Sequence, residues 1–535
     1  MGIGLQPLFQ SLQTSSASSL LGVVEPWEVW WSRNRDKYIS FREDIQWVKT
    51  LDQGGTKSIT VYPAYDELIN ILSDELVRQD NSGCMACSAA IALGKIIDPQ
   101  NPTSSKIVAA LKKAIETKML DCTCNRVLLA SGITGDISFA IPLKEILLDK
   151  KESSLRRSYA ALGLGFISND TEIPKILKKI LSENDDSEVK CYACISLGNL
   201  KDVSSVSVLG EILNSMAGSK NKQLRTYAAL GLGRIGNKEA LDELKKSTPV
   251  SEKEADVRAA VVVALGMTGL PEAKNSIISF LTDKRDSKIS GLAAIVLTEI
   301  KDAKSYDIIS DALRKNKSFD ADGLMVLALG LTADERAKAD LRKILENKKS
   351  RPLLKSSAAI GLGLLKDTGT VPIIVNMLKN DKQLNDPILT PYLILSLGMI
   401  GDPKGIEPLQ TMWGKIGYNT SNLAGYHTNL AVALTMLGKR DEVVLPRLFE
   451  QVNQSNNPFL KSYALHTLGL VGNKESAQVF IQSYKDKNGY VRFTTINSIG
   501  FLLDKNSISP LARVTADNID APMRIMDEIL SLRVW

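Results

Sequence analysis

At 535 residues, with 44% hydrophobic, 24% charged and 6% aromatic side chains, the chain has the composition of an ordinary folded protein. It far exceeds the size at which one core keeps growing, so it is either several domains or a repetitive array. Its 66 basic and 60 acidic side chains leave a formal net charge of +6, too small an excess over so large a surface to point to nucleic acid or an anionic membrane. Lys, Asp or Gly breaks every apolar stretch short of the roughly 18–20 residues a membrane helix needs, so no membrane-spanning helix is expected.

Residues 1–23 are Ser-rich and uncharged, poor material for a packed core, and are expected to form a flexible N-terminal segment. Met1 to Trp30 hold no Lys or Arg, hence no basic region of a secretory leader. The expected location is cytoplasmic; an extracytoplasmic one stays open if a signal peptide lies upstream of the given start. Residues 24–62 are different in kind, since Trp27, Trp30, Trp31 and Trp47 supply four of the six tryptophans. They read either as a docking motif, with Trp27, Trp30 and Trp31 holding a partner, or as a Trp-rich N-terminal cap over the open end of a repeat array.

From residue 63 to 535 the sequence repeats. YAALGLGFISND around Gly165, YACISLGNLKD around Gly198, YAALGLGRIGN around Gly233 and YALHTLGLVGN around Gly469 are variants of one phrase. Anchored on that glycine, thirteen copies align at Gly94, Gly132, Gly165, Gly198, Gly233, Gly266, Thr298, Gly330, Gly363, Gly398, Thr435, Gly469 and Gly500. Four residues later stands Asp or Asn in eleven of them, Leu270 and Lys439 being the exceptions. A glycine near a helix end supplies a left-handed or closely packed position, and Asp or Asn soon after it caps the next helix. The two columns therefore punctuate helix pairs. Before the anchor, an apolar residue at −9 (Val189, Leu224, Val257), a small one at −5 (Ala160, Ala193, Ala228) and Leu at −1 share one helix face, which is expected to be buried. Counting the flanking segments PAYDELINILSDELV, SISPLARV and APMRIMDEILSL gives about fourteen pairs and a path on the order of 100–140 Å.

Interruptions and reactive side chains follow in chain order. Cys84 with Cys87 and Cys122 with Cys124 have spacings that can ligate a metal ion, and the two pairs sit in adjacent repeats. No histidine lies nearby, so they are weak metal candidates, with a redox role also open and packing the plain reading; Cys191 and Cys194 form a third pair. Residues 215–222 and 412–427 lengthen turns within repeats, and Tyr418 and Tyr426 are candidate contact aromatics of the longer insert. The only histidines, His427 and His466, are expected to be structural, which removes most general-base arrangements. GLGRIG at 231–236 ends a helix and follows no strand, so it is no dinucleotide fingerprint. A basic column eight before the anchor (Arg157, Lys190, Arg225, Arg258, Lys355, Lys461, Arg492) is either a phosphate-binding stripe or an inter-repeat ladder to acids such as Asp186 and Asp256, and the ladder is preferred.

Capping Asp, Ala-Ile-x-x-Leu, a turn, Val-Arg-x-x-Ala and a closing Ala-Leu-Gly together resemble the HEAT repeat, specifically the short HEAT-like repeat of phycobilisome lyases, over roughly residues 63–532. WEVWWSRNRDKYISF is similar to the segment that precedes the repeats in some bacterial multi-HEAT proteins. The resemblance implies an all-α, right-handed α-α superhelix of the HEAT/armadillo kind, in which an acid of the preceding turn often meets the basic column. It implies almost nothing about activity. With no catalytic constellation and no cofactor expected, the chain reads as a non-catalytic scaffold or adaptor for a macromolecular partner, in the first instance a protein. A lyase-like or ligand-binding accessory subunit and a nucleic-acid-binding solenoid are the alternatives.

Overall fold

The computed structural model describes residues 27, 28, 31, 39, 48–53, 56–78, 83–97, 103–117, 121–183, 185–215, 222–247, 252–283, 285–316, 319–379, 386, 388–415 and 424–504. The segment 1–23, Trp30, Trp47 and Tyr418 lie outside them, as do the final helix pair expected after Asp504 and most of the 215–222 insert.

A single antiparallel hairpin, β1 (Val48–Gln53) with β2 (Thr56–Val61), precedes the repeats; every other described element is helical. Gly54 and Gly55, between the strands in sequence, are the composition a two-residue hairpin favours, a signal the helical pattern downstream overshadowed. Helices then follow in antiparallel pairs: α1 (Pro63–Val77) and α2 (Gly83–Ile96), α3 (Ser104–Glu116) and α4 (Asp121–Ile133), α5 (Ala140–Leu148) and α6 (Ser154–Leu164), α7 (Glu172–Ser182) and α8 (Ser187–Asn199), α9 (Val206–Asn214) and α10 (Lys222–Ile235), α11 (Lys238–Lys245) and α12 (Ala255–Met267), and α13 (Lys274–Leu281) and α14 (Ser287–Glu299). The series continues with α15 (Ser305–Lys315) and α16 (Phe319–Leu331), α17 (Arg336–Glu346) and α18 (Pro352–Leu364), α19 (Val371–Lys379) and α20 (Thr390–Ile400), α21 (Ile406–Lys415) and α22 (Ala424–Met436), α23 (Leu445–Gln454) and α24 (Pro458–Val471), and α25 (Ser476–Tyr484) and α26 (Gly489–Leu503).

The two members of a pair are built differently. First helices bury one stripe, as α7 does with Ile173, Leu177, Ile180 and Leu181 at helical spacing. Second helices are buried on nearly every side: in α12 each residue from Val257 to Gly266 is inside. A second helix packs on its own first helix and on the second helices of both neighbours, so the single buried face expected from the −9, −5 and −1 columns is too small an estimate.

The packing divides into two units, each with its own core. Among the described residues a central unit takes in residues 27–39 and 245–451, where α12, α14, α16, α18, α20 and α22 stack in order. A terminal unit takes in 48–244 and 452–504. Its second helices stack in the order α24, α26, α2, α4, α6, α8, α10, which places the last described repeat directly against the first. The segment 24–62, drawn from the sequence as one cap, is thus shared between the units.

The anchor glycines are positions of close approach. A Cβ on Gly132 would lie 2.1 Å from the Gly163 carbonyl oxygen, and one on Gly330 would lie 2.4 Å from the Gly361 Cα. The residue met is the one two before the next anchor, and that column is small at Ala130, Gly163, Ser196, Gly231, Gly361, Ser396, Ala433 and Ser498, with Val296 against Gly266 as the exception. The left-handed residue is instead three after the anchor. It is glycine at Gly135, Gly236, Gly269, Gly401 and Gly438, but Lys201, Lys301, Ala333 and Lys366 hold the same positive φ. The acidic column then caps as expected in Asp136, Asp302, Asp334 and Asp402, each accepting from the backbone N–H two residues on at 2.8–2.9 Å.

Candidate functional site

The basic column is largely consumed inside the protein. Arg157, buried on α6, donates through both terminal nitrogens to Asp185 at 2.7 Å, and its Nε donates to the Leu147 carbonyl at 2.9 Å. The guanidinium thus satisfies an orphan carbonyl at the end of α5 and pairs with the turn of the following repeat. Asp185 is held well below the usual carboxylate range chiefly by Arg157, against the opposing effect of burial. Lys461 repeats the pairing with Asp486 at 2.7 Å. Arg225 Nε donates to the Leu213 carbonyl at 2.8 Å, and Arg258 and Arg492 donate to turn carbonyls at Lys253 and Asp486.

The inter-repeat ladder is therefore present, with a correction: its acid lies in the following turn, not the preceding one. Asp186, the acid singled out from the sequence, instead caps α8 by accepting from Glu188 N–H at 2.8 Å. A second ladder, not anticipated, runs from first helices to acids at the start of the next repeat: Lys144 to Asp170 at 2.7 Å, Lys274 to Asp302 at 2.7 Å, and Arg342 to Asp367. Both ladders use side chains from different repeats, which a reading one repeat at a time does not pair.

A recess of about 150 Å³ opens where three second helices end, lined by Gly165, Phe166, Ser168, Gly198, Asn199, Leu200, Lys201 and Arg234. The Lys201 ammonium donates to the Arg234 carbonyl at the C-terminus of α10, where helix polarity favours a cation. Burial first, and the neighbouring Arg234 second, pull the Lys201 ammonium below its usual range. Lys201 is thus accounted for by the helix end it faces.

The aromatic candidates are placed inside. Trp27 is fully buried with its ring 5.0 Å from that of Tyr392, Trp31 is buried as well, and the neighbouring Glu28 accepts from Tyr392 Oη at 2.9 Å. Side chains so enclosed are unavailable to a partner, which corrects the docking reading for Trp27 and Trp31. This part of the segment packs on α20 of the central unit. Tyr426 is likewise a core residue, its hydroxyl donating to the Asp386 carbonyl at 3.3 Å and pushed up to about 12 mainly by burial.

Cys87, Cys191 and Cys194 are buried, and burial together with the neighbouring Cys191 pushes the Cys194 thiol well above its ordinary value. Among the described residues no group of three or more His, Cys, Asp or Glu is placed to hold a metal ion. The metal reading of Cys84, Cys122 and Cys124 falls on side chains outside the described ones. His427 is buried beside Trp413, whose indole N–H donates to Nδ1 at 2.8 Å, and burial, with Arg447 adding to it, pulls the imidazole down to about 4. Such an imidazole is neutral and enclosed, a packing histidine.

Sequence reading missed an apolar surface. Ile141 is 65% exposed and Leu148 46%, seven residues apart on one face of α5, with Ile137 one turn earlier at 49%. Leu155 on α6 and Val203, which occupies in its own repeat the place of Ile137, are also exposed. The signal was available in DISFAIPLKEILL, where apolar residues occur on both faces of the helix, more than one buried stripe requires.

Stacked antiparallel helix pairs with one continuous core per unit define an α-solenoid. Within that class the chain contains HEAT repeats: the family model described as HEAT repeats matches residues 211–298. No curated protein sequence matches the chain. Among solved structures it is similar to human deoxyhypusine hydroxylase in complex with glycerol, at 17% identity and a TM-score of 0.25, covering 56% of this chain and 97% of that one. It is also similar to a chain from a structure of a conserved phosphorylation switch in the interaction between cadherin and beta-catenin, at 13% identity and a TM-score of 0.25, covering 81% and 99%. Similarities this low carry nothing about activity.

Proposed function

We propose that the protein is a non-catalytic scaffold whose helical surface binds a protein partner. The observation that carries this reading is the exposed apolar pair Ile141 and Leu148 on α5, with Ile137 exposed in the turn that leads into it. Apolar side chains so exposed and grouped in one repeat favour burial against another apolar surface. Burying two such side chains is worth on the order of 3–5 kcal/mol, enough to anchor a modest interface. The basic column supports a protein partner over nucleic acid, because Arg157, Arg225, Arg258, Lys461 and Arg492 are engaged within the chain.

The test compares proteins captured by the purified wild type, by Ile141→Glu/Leu148→Glu, and by the control Lys175→Glu on α7, scored by quantitative mass spectrometry. A protein retained by wild type and control but lost from the double variant is the expected result. Capture of the same proteins by all three, or of none by any, contradicts the proposal.

A further inference from the structure

The contact between the last and first described repeats is made in the register of every other joint. Gly500, the anchor of α26, faces Ala92, which stands two before the anchor Gly94 of α2, as Gly132 faces Gly163 and Gly198 faces Gly231. Both helix layers take part, α26 against α2 and α25 against α1. Tyr484 on α25 donates through its hydroxyl to Glu75 on α1 at 2.6 Å, across 409 positions of sequence. Lys474 lies 3.7 Å over the Tyr62 ring.

Two properties set this joint apart within the terminal unit. Neighbouring second helices elsewhere in its stack are linked by one intervening first helix and its turns, whereas α26 and α2 have no short connection and are held by side-chain contacts. At the joint, Lys95 of α2 meets Asp504 at 3.1 Å, with 5% and 1% of the two side chains exposed, and Lys95 also lies 5.9 Å from the Phe501 ring. An ion pair so buried repays little more than its own desolvation while enforcing one register, which is the property of a specific but releasable contact. Gly500 on Ala92 repeats at the seam the small-residue fit of the other joints.

We propose that this joint is a clasp: α25–α26 and α1–α2 part and rejoin as a unit while α4 to α10 stay folded. The inference stands apart from the scaffold reading, which concerns α5. Opening uncovers the second-helix faces of α26 and α2, which have the same small-residue grammar as the rest of the stack, and so changes the surface on offer without unfolding it.

Hydrogen–deuterium exchange on the intact chain tests this. A Cβ on Gly500 meets nothing but Ala92 within 4 Å, so Gly500→Ala loads the clasp alone and Gly500→Val loads it further. The expected result is at least tenfold faster exchange across α1, α2, α25 and α26, with α6, α8 and the central unit's α14 and α18 unchanged. Asp504→Asn, which keeps the shape and removes the charge facing Lys95, is expected to act in the same direction. Unchanged exchange of α2 and α26 in every variant overturns the clasp, as does a uniform loss of protection over all helices. Failure of every variant to fold overturns it too, since the joint would then be required for the array and not separable from it.

Discussion

At the level of single residues, the anchor glycines do the second of the two jobs their position allows, close packing and not a left-handed turn. Gly132 is there because the Gly163 backbone is there, not because of a left-handed turn. Gly132→Ala is therefore expected to lower stability by about 3 kcal/mol through overpacking, measured as a shift in the denaturant midpoint. Gly414→Ala, with no atom within 4 Å of the added methyl and a helical backbone, is expected to be neutral or to gain about 0.5–1 kcal/mol. Equal losses at the two sites would contradict the assignment. His427 supplies a second test. Its folded pKa of about 4 lies below the ordinary 6.5, so its contribution is complete above pH 6.5 and is lost as pH falls from there to about 4. The full loss is about 3 kcal/mol, and His427→Gln is expected to flatten the stability profile in that window. A profile unaltered by the substitution would remove His427 as its source. The histidine was legible in the sequence as structural; its partner Trp413, fourteen residues away on the preceding helix, was not, because nothing in the spacing says which turn brings them together.

At the level of elements, helix pairs and their caps were readable from the Gly and Asp columns, while the ladders binding one pair to the next were readable only as composition. Arg157 and Asp185 show why. They lie twenty-eight residues apart, and whether Asp185 or the adjacent Asp186 receives the guanidinium depends on a turn whose other acid is already committed to capping α8. Asp185→Asn leaves a buried guanidinium without its counter-charge and is expected to destabilise by about 3–5 kcal/mol near neutral pH. Because the folded pKa of Asp185 is depressed, this stabilisation is complete above its unfolded value near 4 and disappears as pH falls below that. The difference in midpoint between wild type and variant should accordingly shrink on acidification; a gap that stays constant into the acid range would exclude the pair as its cause. The exposed face of α5 belongs to the same scale: apolar content was visible, but which of two apolar faces is left uncovered depends on where α6 packs.

For the molecule as a whole, two cores imply two cooperative units. Calorimetry is expected to resolve more than one transition, and a single transition with equal calorimetric and van't Hoff enthalpies would contradict the division. The repeat, its helix pairs and their approximate number are local facts, set by side-chain periodicity and by caps that act within a few residues, so they can be recovered from the linear order alone. Contacts between ends are not local. The meeting of α26 with α2, the division into a central and a terminal unit, and the burial of Trp27 against Tyr392 join segments hundreds of residues apart. Which distant surfaces touch is decided by side-chain packing and not by any motif, so the linear order alone does not determine it.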